Sequence, residues 1–429
     1  MSAVVVFIIF AICLVIAIPI SISLGIVAVL PGAFDASFTA SAGYVIRSMV
    51  GGIDSFPLLA VPMFVLAGIL MAHGKISEKL FDVFVYFLGN KRAGIPCAVI
   101  ITCLFYGAIS GSAPATVAAV GSMTIPLLIE LGYEKDFSTA IVAVAGGLGV
   151  IIPPSIPFIM YAMATGESVS DLFLAGIVPG MMISALLIFY AYYYCRRHGE
   201  DREKIQAKMG QLKAKGFFNI LKESIWALLS PVIVLGCIYT GVASPTEAAV
   251  ISVFYSLFVS LFIYRSIKVK QIWGIMVEAM KTYAPILFIL ATSTAFSRVL
   301  TLMQVPQDVS AWIMTHFSNE IVLLLVINVV LLIVGMVMDT TPAILILSPI
   351  LLPIVEHVGM NPIHFGVMVI VNLAVGFVTP PVGVNLFVAS SLTNVPMMQI
   401  AKKAMPMIGF FLAALLLITF IPAISIGIL

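Results

Sequence analysis

Ser110-Gly111-Ser112-Ala113-Pro114 and Asp339-Thr340-Thr341-Pro342 each interrupt a long apolar run with a polar tip too short to be an aqueous loop. The runs flanking the first tip, Ile95 to Ile109 and Ala115 to Ile129, would each extend about 22 Å as helices at 1.5 Å per residue, short of the ~30 Å hydrocarbon core. They reach past the midplane without crossing, so each tip reads as the apex of a re-entrant helical hairpin. Two full spans joined by a tight turn are the alternative. Each tip also sets a capping residue ahead of a proline, Ser112 two residues before Pro114 and Thr341 directly before Pro342. Proline costs nothing at the first helical position. The second arm is therefore expected to start at the tip, turning unpaired amides and the positive end of its dipole into the membrane, where an anion is stabilised.

After each hairpin comes an apolar segment broken near its centre. The breaks run from Gly146-Gly147-Leu148-Gly149 to Pro153-Pro154-Ser155, and from Gly376 through Thr379-Pro380-Pro381-Val382-Gly383-Val384-Asn385. Paired prolines remove two donors and unwind the chain. The freed carbonyls, with the hydroxyls and the Asn385 amide, suit a small hard cation such as sodium. Irregular backbone at membrane depth survives only in protein or beside a cavity; the plainer alternative is two kinked helices. Asp339 reads as a helix cap, as a binding residue, or as both. Arg298 either pairs with a substrate carboxylate or snorkels to the outer interface. Ser293 and Ser297 share one helix face and suit either a cavity or plain helix packing.

Working outward, the chain is 62% hydrophobic and 9% charged, with a mean hydropathy of +1.19. Soluble domains carry about 25% charged residues, so a water-soluble fold is excluded. Ser2 to Leu30, Asp171 to Cys195 and Met405 to Leu429 are among the stretches long enough to span, and the whole reads as about eleven or twelve membrane elements. The N-terminal stretch lacks the basic leader and cleavage site of a signal peptide and is expected to be retained. A net charge of +2 suggests no nucleic-acid partner. The five cysteines and five histidines are scattered without metal-ligand spacing. No catalytic constellation and no phosphate loop is present, so the chain is expected to be neither an enzyme nor an ATPase.

Basic residues mark the inside face. They cluster at Lys75 to Arg92, Arg196 to Lys222, Arg265 to Lys281, and Lys402 with Lys403, whereas Gln304 to Glu320 and Ala243 to Glu247 carry none. Sliding the second half onto the first by about 227 residues superposes Pro153, Pro154 and Pro179 on Pro380, Pro381 and Pro406, and Gly132 and Gly149 on Gly359 and Gly376. Nearby shifts match Pro19 with Pro245, Pro62 with Pro285, and Gly107 and Pro114 with Gly335 and Pro342. The helix ending near Met71 runs inside while its counterpart ending near Met303 runs outside, so the repeats are expected to be inverted, as in secondary transporters. The first repeat is expected over 1–222, with its hairpin at about 95–131, broken helix at about 137–165 and a basic inside linker at about 195–222. The second spans 223–429, with its hairpin at about 321–358 and broken helix at about 363–391. A match of Pro19 with Pro245 would put the N-terminus outside; a single long first helix would put it inside.

The tips, with Gly241-Val242-Ala243-Ser244-Pro245-Thr246-Glu247-Ala248-Ala249, Phe56-Pro57-Leu58-Leu59-Ala60-Val61-Pro62-Met63-Phe64 and Asp339-Thr340-Thr341-Pro342-Ala343-Ile344-Leu345, resemble the large membrane subunit of tripartite ATP-independent periplasmic (TRAP) transporters, the DctM-like family, along essentially the whole chain. The resemblance implies an all-α polytopic elevator-type carrier in the bacterial inner membrane. It implies sodium-coupled uptake of a small organic acid of the sialic acid or C4-dicarboxylate type. Its partners would be a separate small four-helix membrane subunit and a periplasmic substrate-binding protein. By the same resemblance, one sodium site would lie between Ser110, Gly111 and Ser112 and the break at Gly149, Ile152, Pro153 and Ser155. Another would lie between Asp339 and Thr340 and the break at Thr379, Pro380, Gly383 and Asn385. Substrate would sit near Ser297, Arg298, Thr340, Thr341 and Asn385. A stand-alone sodium/organic-anion symporter or an ion antiporter of related architecture is the alternative.

Overall fold

The computed structural model describes residues 3–35, 38–214, 216–316 and 319–429. Ser2 of the first apolar stretch and Phe317 and Ser318 of the stretch free of basic residues lie outside them. The described chain is helical throughout. Nine of its helices are long and apolar enough to cross a membrane, among them Val169–His198, Phe217–Tyr239, Val269–Leu302 and Met397–Phe420. Shorter apolar helices include Gly94–Ser110, Ile156–Thr165, Pro362–Gly376 and Val384–Thr393, and the rest, such as the polar Arg202–Ala214, are neither. Because lipid supplies no hydrogen bonds, a spanning backbone must pair its own groups, and helices do so within each segment.

The helices end where local chemistry says they must. Gly94–Ser110 stops at Gly111, whose φ of +60° is the left-handed conformation that glycine adopts freely. Ala113–Glu130 then starts with Pro114 in its first turn. In the second half Glu320–Val337 gives way at Met338 to Thr340–His357. Here the cap is Asp339, whose carboxylate accepts from the amide of Thr340, and not the expected Thr341, which is already inside the helix. Thr341 loses this role because the Asp339 carboxylate reaches the first free amide, that of Thr340, one residue earlier. The N-terminal segment is two helices packed on each other, Ala3–Val15 and Ile20–Phe34, with Pro19 at the second start, so the single long first helix is excluded.

Both Pro-Pro pairs break the chain. Lys135–Ala145 passes through a tight turn at Gly146–Val150 and a cis Pro153-Pro154 bond before Ile156–Thr165 begins. Pro362–Gly376 passes through a cis Pro380-Pro381 bond before Val384–Thr393. By contrast Pro126, Pro179, Pro231 and Pro285 lie inside continuous helices. The broken helices occupy the centre of the molecule: every residue from Phe137 to Ala145 and from His364 to Gly376 is buried. Long helices surround them, and apolar residues such as Ile321, Val329 and Ile333 of Glu320–Val337 face outward.

Candidate functional site

The first tip seats on the first break through backbone. Gly111 O accepts from the amide of Ile156 at 3.3 Å. Behind it the hydroxyls of Ser110 and Thr116 lie 2.9 Å apart, and Thr116 also donates to Ser112 O at 2.8 Å. Gly149 faces this cluster so closely that a Cβ there would stand 2.5 Å from Thr116 Oγ1 and 2.8 Å from Ser112 O. Neutral oxygens gathered at unwound backbone are the ligand type that sodium takes in membrane carriers. Ser155, fully buried, donates to Val150 O at 2.6 Å and caps Ile156–Thr165 by accepting from Phe158 N. Its hydroxyl is thus committed to holding the break in shape. Ile152 turns its side chain toward Gly180 of Val169–His198.

The second tip repeats the arrangement with different atoms. Val382 N donates to Met336 O at 3.2 Å, and Asn385 N donates to Phe377 O at 3.0 Å. Asp339 holds Thr340 through both its amide, at 2.6 Å, and its hydroxyl, at 3.2 Å. Thr379 donates back to Val375 O, and Gly383 takes a φ of +52° where the chain re-enters the helix. Asn385 leaves its own half: its Nδ2 donates to Ala143 O at 3.0 Å, and its buried Oδ1 has no protein partner. That free acceptor is the kind of group a cation would complete.

One cleft joins the two tips. Gly111, Ser112 and Pro114 face Asp339, Thr340 and Thr341 across it, with Ile156 and Phe377 from the two breaks and Ile286 from the long helix Val269–Leu302. Two helix N-termini therefore open on one space, beside the carboxylate of Asp339. Ser297 and Arg298 lie outside it. They stand on the same long helix as Ile286 but about 16 Å further along at 1.5 Å per residue. Arg298 is exposed and approaches Gly51, and Ser297 is half-buried. Ser293 is fully buried with an unpartnered hydroxyl. Thr116 was not among the expected ligands, although its spacing from Ser112, four residues on along one helix, marks it as reachable.

A sequence profile of the family described as "Tripartite ATP-independent periplasmic transporter, DctM component" matches residues 7–424. An isethionate TRAP transporter permease protein, DctMQ, of Oleidesulfovibrio alaskensis is 44% identical over 97% of the chain, which spans 64% of that relative's length. A C4-dicarboxylate TRAP transporter large permease protein of Pseudomonas aeruginosa is 39% identical over 87% of this chain and 86% of its own. The 2,3-diketo-L-gulonate TRAP transporter large permease protein of Escherichia coli is 36% identical over 89% and 88%. Among solved structures, the YdaH transporter of Alcanivorax borkumensis superposes with a TM-score of 0.64 at 14% identity, covering 95% of this chain and 97% of that one, a likeness of fold. Sequence and architecture agree: the chain belongs to the DctM family of TRAP transporter large permeases and is an all-α, multi-pass protein of the inner membrane.

Proposed function

We propose that this chain is the membrane-crossing permease of a sodium-coupled, three-part uptake system for a small organic acid. The observation that carries the reading is the cleft in which both hairpin tips meet, each at the start of a helix. Such a place favours an anion, and the oxygen clusters beside it favour sodium. The two halves act as inverted repeats with re-entrant hairpins over about 95–131 and 321–358, moving as an elevator against the surrounding long helices. One sodium ion is held by the oxygens of Ser110, Ser112 and Thr116 against the break at Gly149, the other by Asp339, Thr340 and the break that leads to Asn385. The substrate sits between the tips at Ser112, Thr340 and Thr341, and Ser297 and Arg298 are not part of this seat.

The relatives' names supply candidate cargoes: isethionate, C4-dicarboxylates and 2,3-diketo-L-gulonate, each a small organic acid, with sialic acid as a further test substrate. Partners are a small four-helix membrane subunit and a periplasmic binding protein that delivers the acid. Each net positive charge entering through 100 mV gains about 2.3 kcal/mol, so inward carriage of an acid needs more sodium charges than substrate charges. Uptake of radiolabelled acids into proteoliposomes holding the chain and its small subunit tests the reading. Dependence on both a sodium gradient and the binding protein supports it; uptake that needs sodium alone makes the chain a stand-alone symporter, and uptake indifferent to sodium overturns the coupling.

A further inference from the structure

A groove leads away from the tip cleft. The cleft shares Ser112, Ile156 and Ile286 with an adjoining cavity of about 360 Å³. That cavity in turn shares Glu278 with a second space of about 360 Å³, and Ala72 and Ala119 with a third of about 230 Å³. One wall is the face of Val269–Leu302 that carries Glu278, Thr282 and Ile286 at every fourth residue, the helical repeat that keeps side chains in line. Helix Ala60–His73 and the second arm of the first hairpin form the other walls with small and apolar side chains. The groove ends at His73, just before the basic segment 75–92, and at Glu278, within the basic segment 265–281, and so opens on the inside face.

At that mouth His73 Nε2 and Glu278 Oε2 are 2.9 Å apart, with the two side chains 49% and 54% exposed. A pair this open adds little to stability. The end of its helix is held independently, by Ser266 Oγ donating to Gly74 O at 3.0 Å. Among the described residues Glu278 is the one charged side chain lining the main cavity. Around His73 the third space adds only Glu78, itself 4.0 Å from Lys75. No lysine or arginine lines any of the three spaces among the described residues. An anion moving inward from the tips therefore meets a carboxylate first, and the imidazole of His73 is the group placed to mask it. We infer that His73 and Glu278 form a gate at the inner mouth of the release path, the imidazole engaging the Glu278 carboxylate at 2.9 Å so that an acid can pass.

The inference rests on the proposed uptake of an organic acid, and its tests separate the two. In proteoliposomes in which the parent carries its acid, His73→Ala leaves Glu278 bare and is expected to slow initial uptake about tenfold, whereas Glu278→Gln runs at or above the parent rate. The double variant H73A/E278Q should recover the rate of E278Q. Equal loss in both single variants with no recovery in the double would make the pair a structural tie and overturn the gate, as would an unchanged H73A. The path has a readout that needs no transport. Thr282→Cys should react with a membrane-impermeant thiol reagent from the inside face only, with the parent, whose cysteines are buried or half-buried, as the blank. Labelling from the outer face, or none from either, overturns the path; a parent that carries no acid overturns the uptake reading instead.

Discussion

Gly107 of the first hairpin arm and Gly149 of the first break touch backbone to backbone: a Cβ on Gly107 would stand 2.6 Å from Gly149 Cα. Gly335 and Gly376 stand in the same relation in the second half. In each half a side-chain-free contact lets the hairpin arm lie close against the broken helix where its break begins. Gly149→Ala would drive a methyl group into Thr116 Oγ1 and Ser112 O. We expect a cost of about 1–3 kcal/mol, read as a lower Tm in detergent, together with loss of sodium-dependent uptake. An unchanged Tm would show that the hairpin shifts at no cost.

Thr116→Val keeps shape and removes the hydroxyl shared with Ser110 and Ser112. The expected result is a sodium concentration for half-maximal uptake raised about tenfold, the effect of roughly 1.4 kcal/mol lost from one ligand, with folding retained. A parent-like sodium dependence would remove Thr116 from the site.

Asp339→Ala and Asn385→Leu should each abolish sodium-dependent uptake while the protein still inserts and folds. Asp339 loses its cap on Thr340, worth about 1 kcal/mol, and Asn385 loses its bond to Ala143 O and its free Oδ1. Full activity in both variants would refute the assignment of this second sodium site.

Between the first hairpin and the first broken helix, Glu134 accepts from Lys403 at 2.6 Å and from Tyr194 at 2.7 Å. These two bonds hold its carboxyl below the ordinary value of 4.5, against a smaller opposing effect of burial. With the folded value below the unfolded one, the stabilisation is complete above about pH 4.5 and is lost as pH falls through the folded value. Because Glu134 is about half exposed, with 48% of its side chain accessible, the contribution is under about 1 kcal/mol. Lys403→Gln should lower Tm slightly at pH 7, and the gap to the parent should close near pH 3, as thermal melts at the two pH values would record.

Glu200 is the stronger tie nearby. Its side chain is 2% exposed and accepts from Tyr133 OH at 2.6 Å, from the amide of Ala93 at 3.0 Å and from Arg202 at 3.0 Å, joining the base of the first hairpin to the linker after Val169–His198. Glu200→Ala strands these donors and should cost about 3 kcal/mol. Glu200→Gln, which keeps an acceptor, should cost less, and denaturation in detergent ranks the two.

Much of the site was legible in short windows. Gly111, Pro114 and the Pro-Pro pairs act on their own neighbours by fixing φ or removing donors, so the tips and breaks could be placed from the sequence. Competition between neighbours was harder to read. Asp339 takes the cap from Thr341 because its carboxylate reaches the Thr340 amide directly. Long-range placement was harder still. Ser297 and Arg298 have suitable chemistry, yet the helix that carries them meets the cleft at Ile286.

The sequence alone determined the class of solvent and the positions where helices must stop, because hydropathy and backbone dihedrals act over a turn or two of chain. Tertiary structure alone decided that Gly107 meets Gly149, that Asn385 reaches Ala143 in the other half, and that His73 meets Glu278. Those contacts join segments far apart in the chain. Close packing sets them, since a neighbour's shape at ångström scale, and no property of either segment alone, selects the partner.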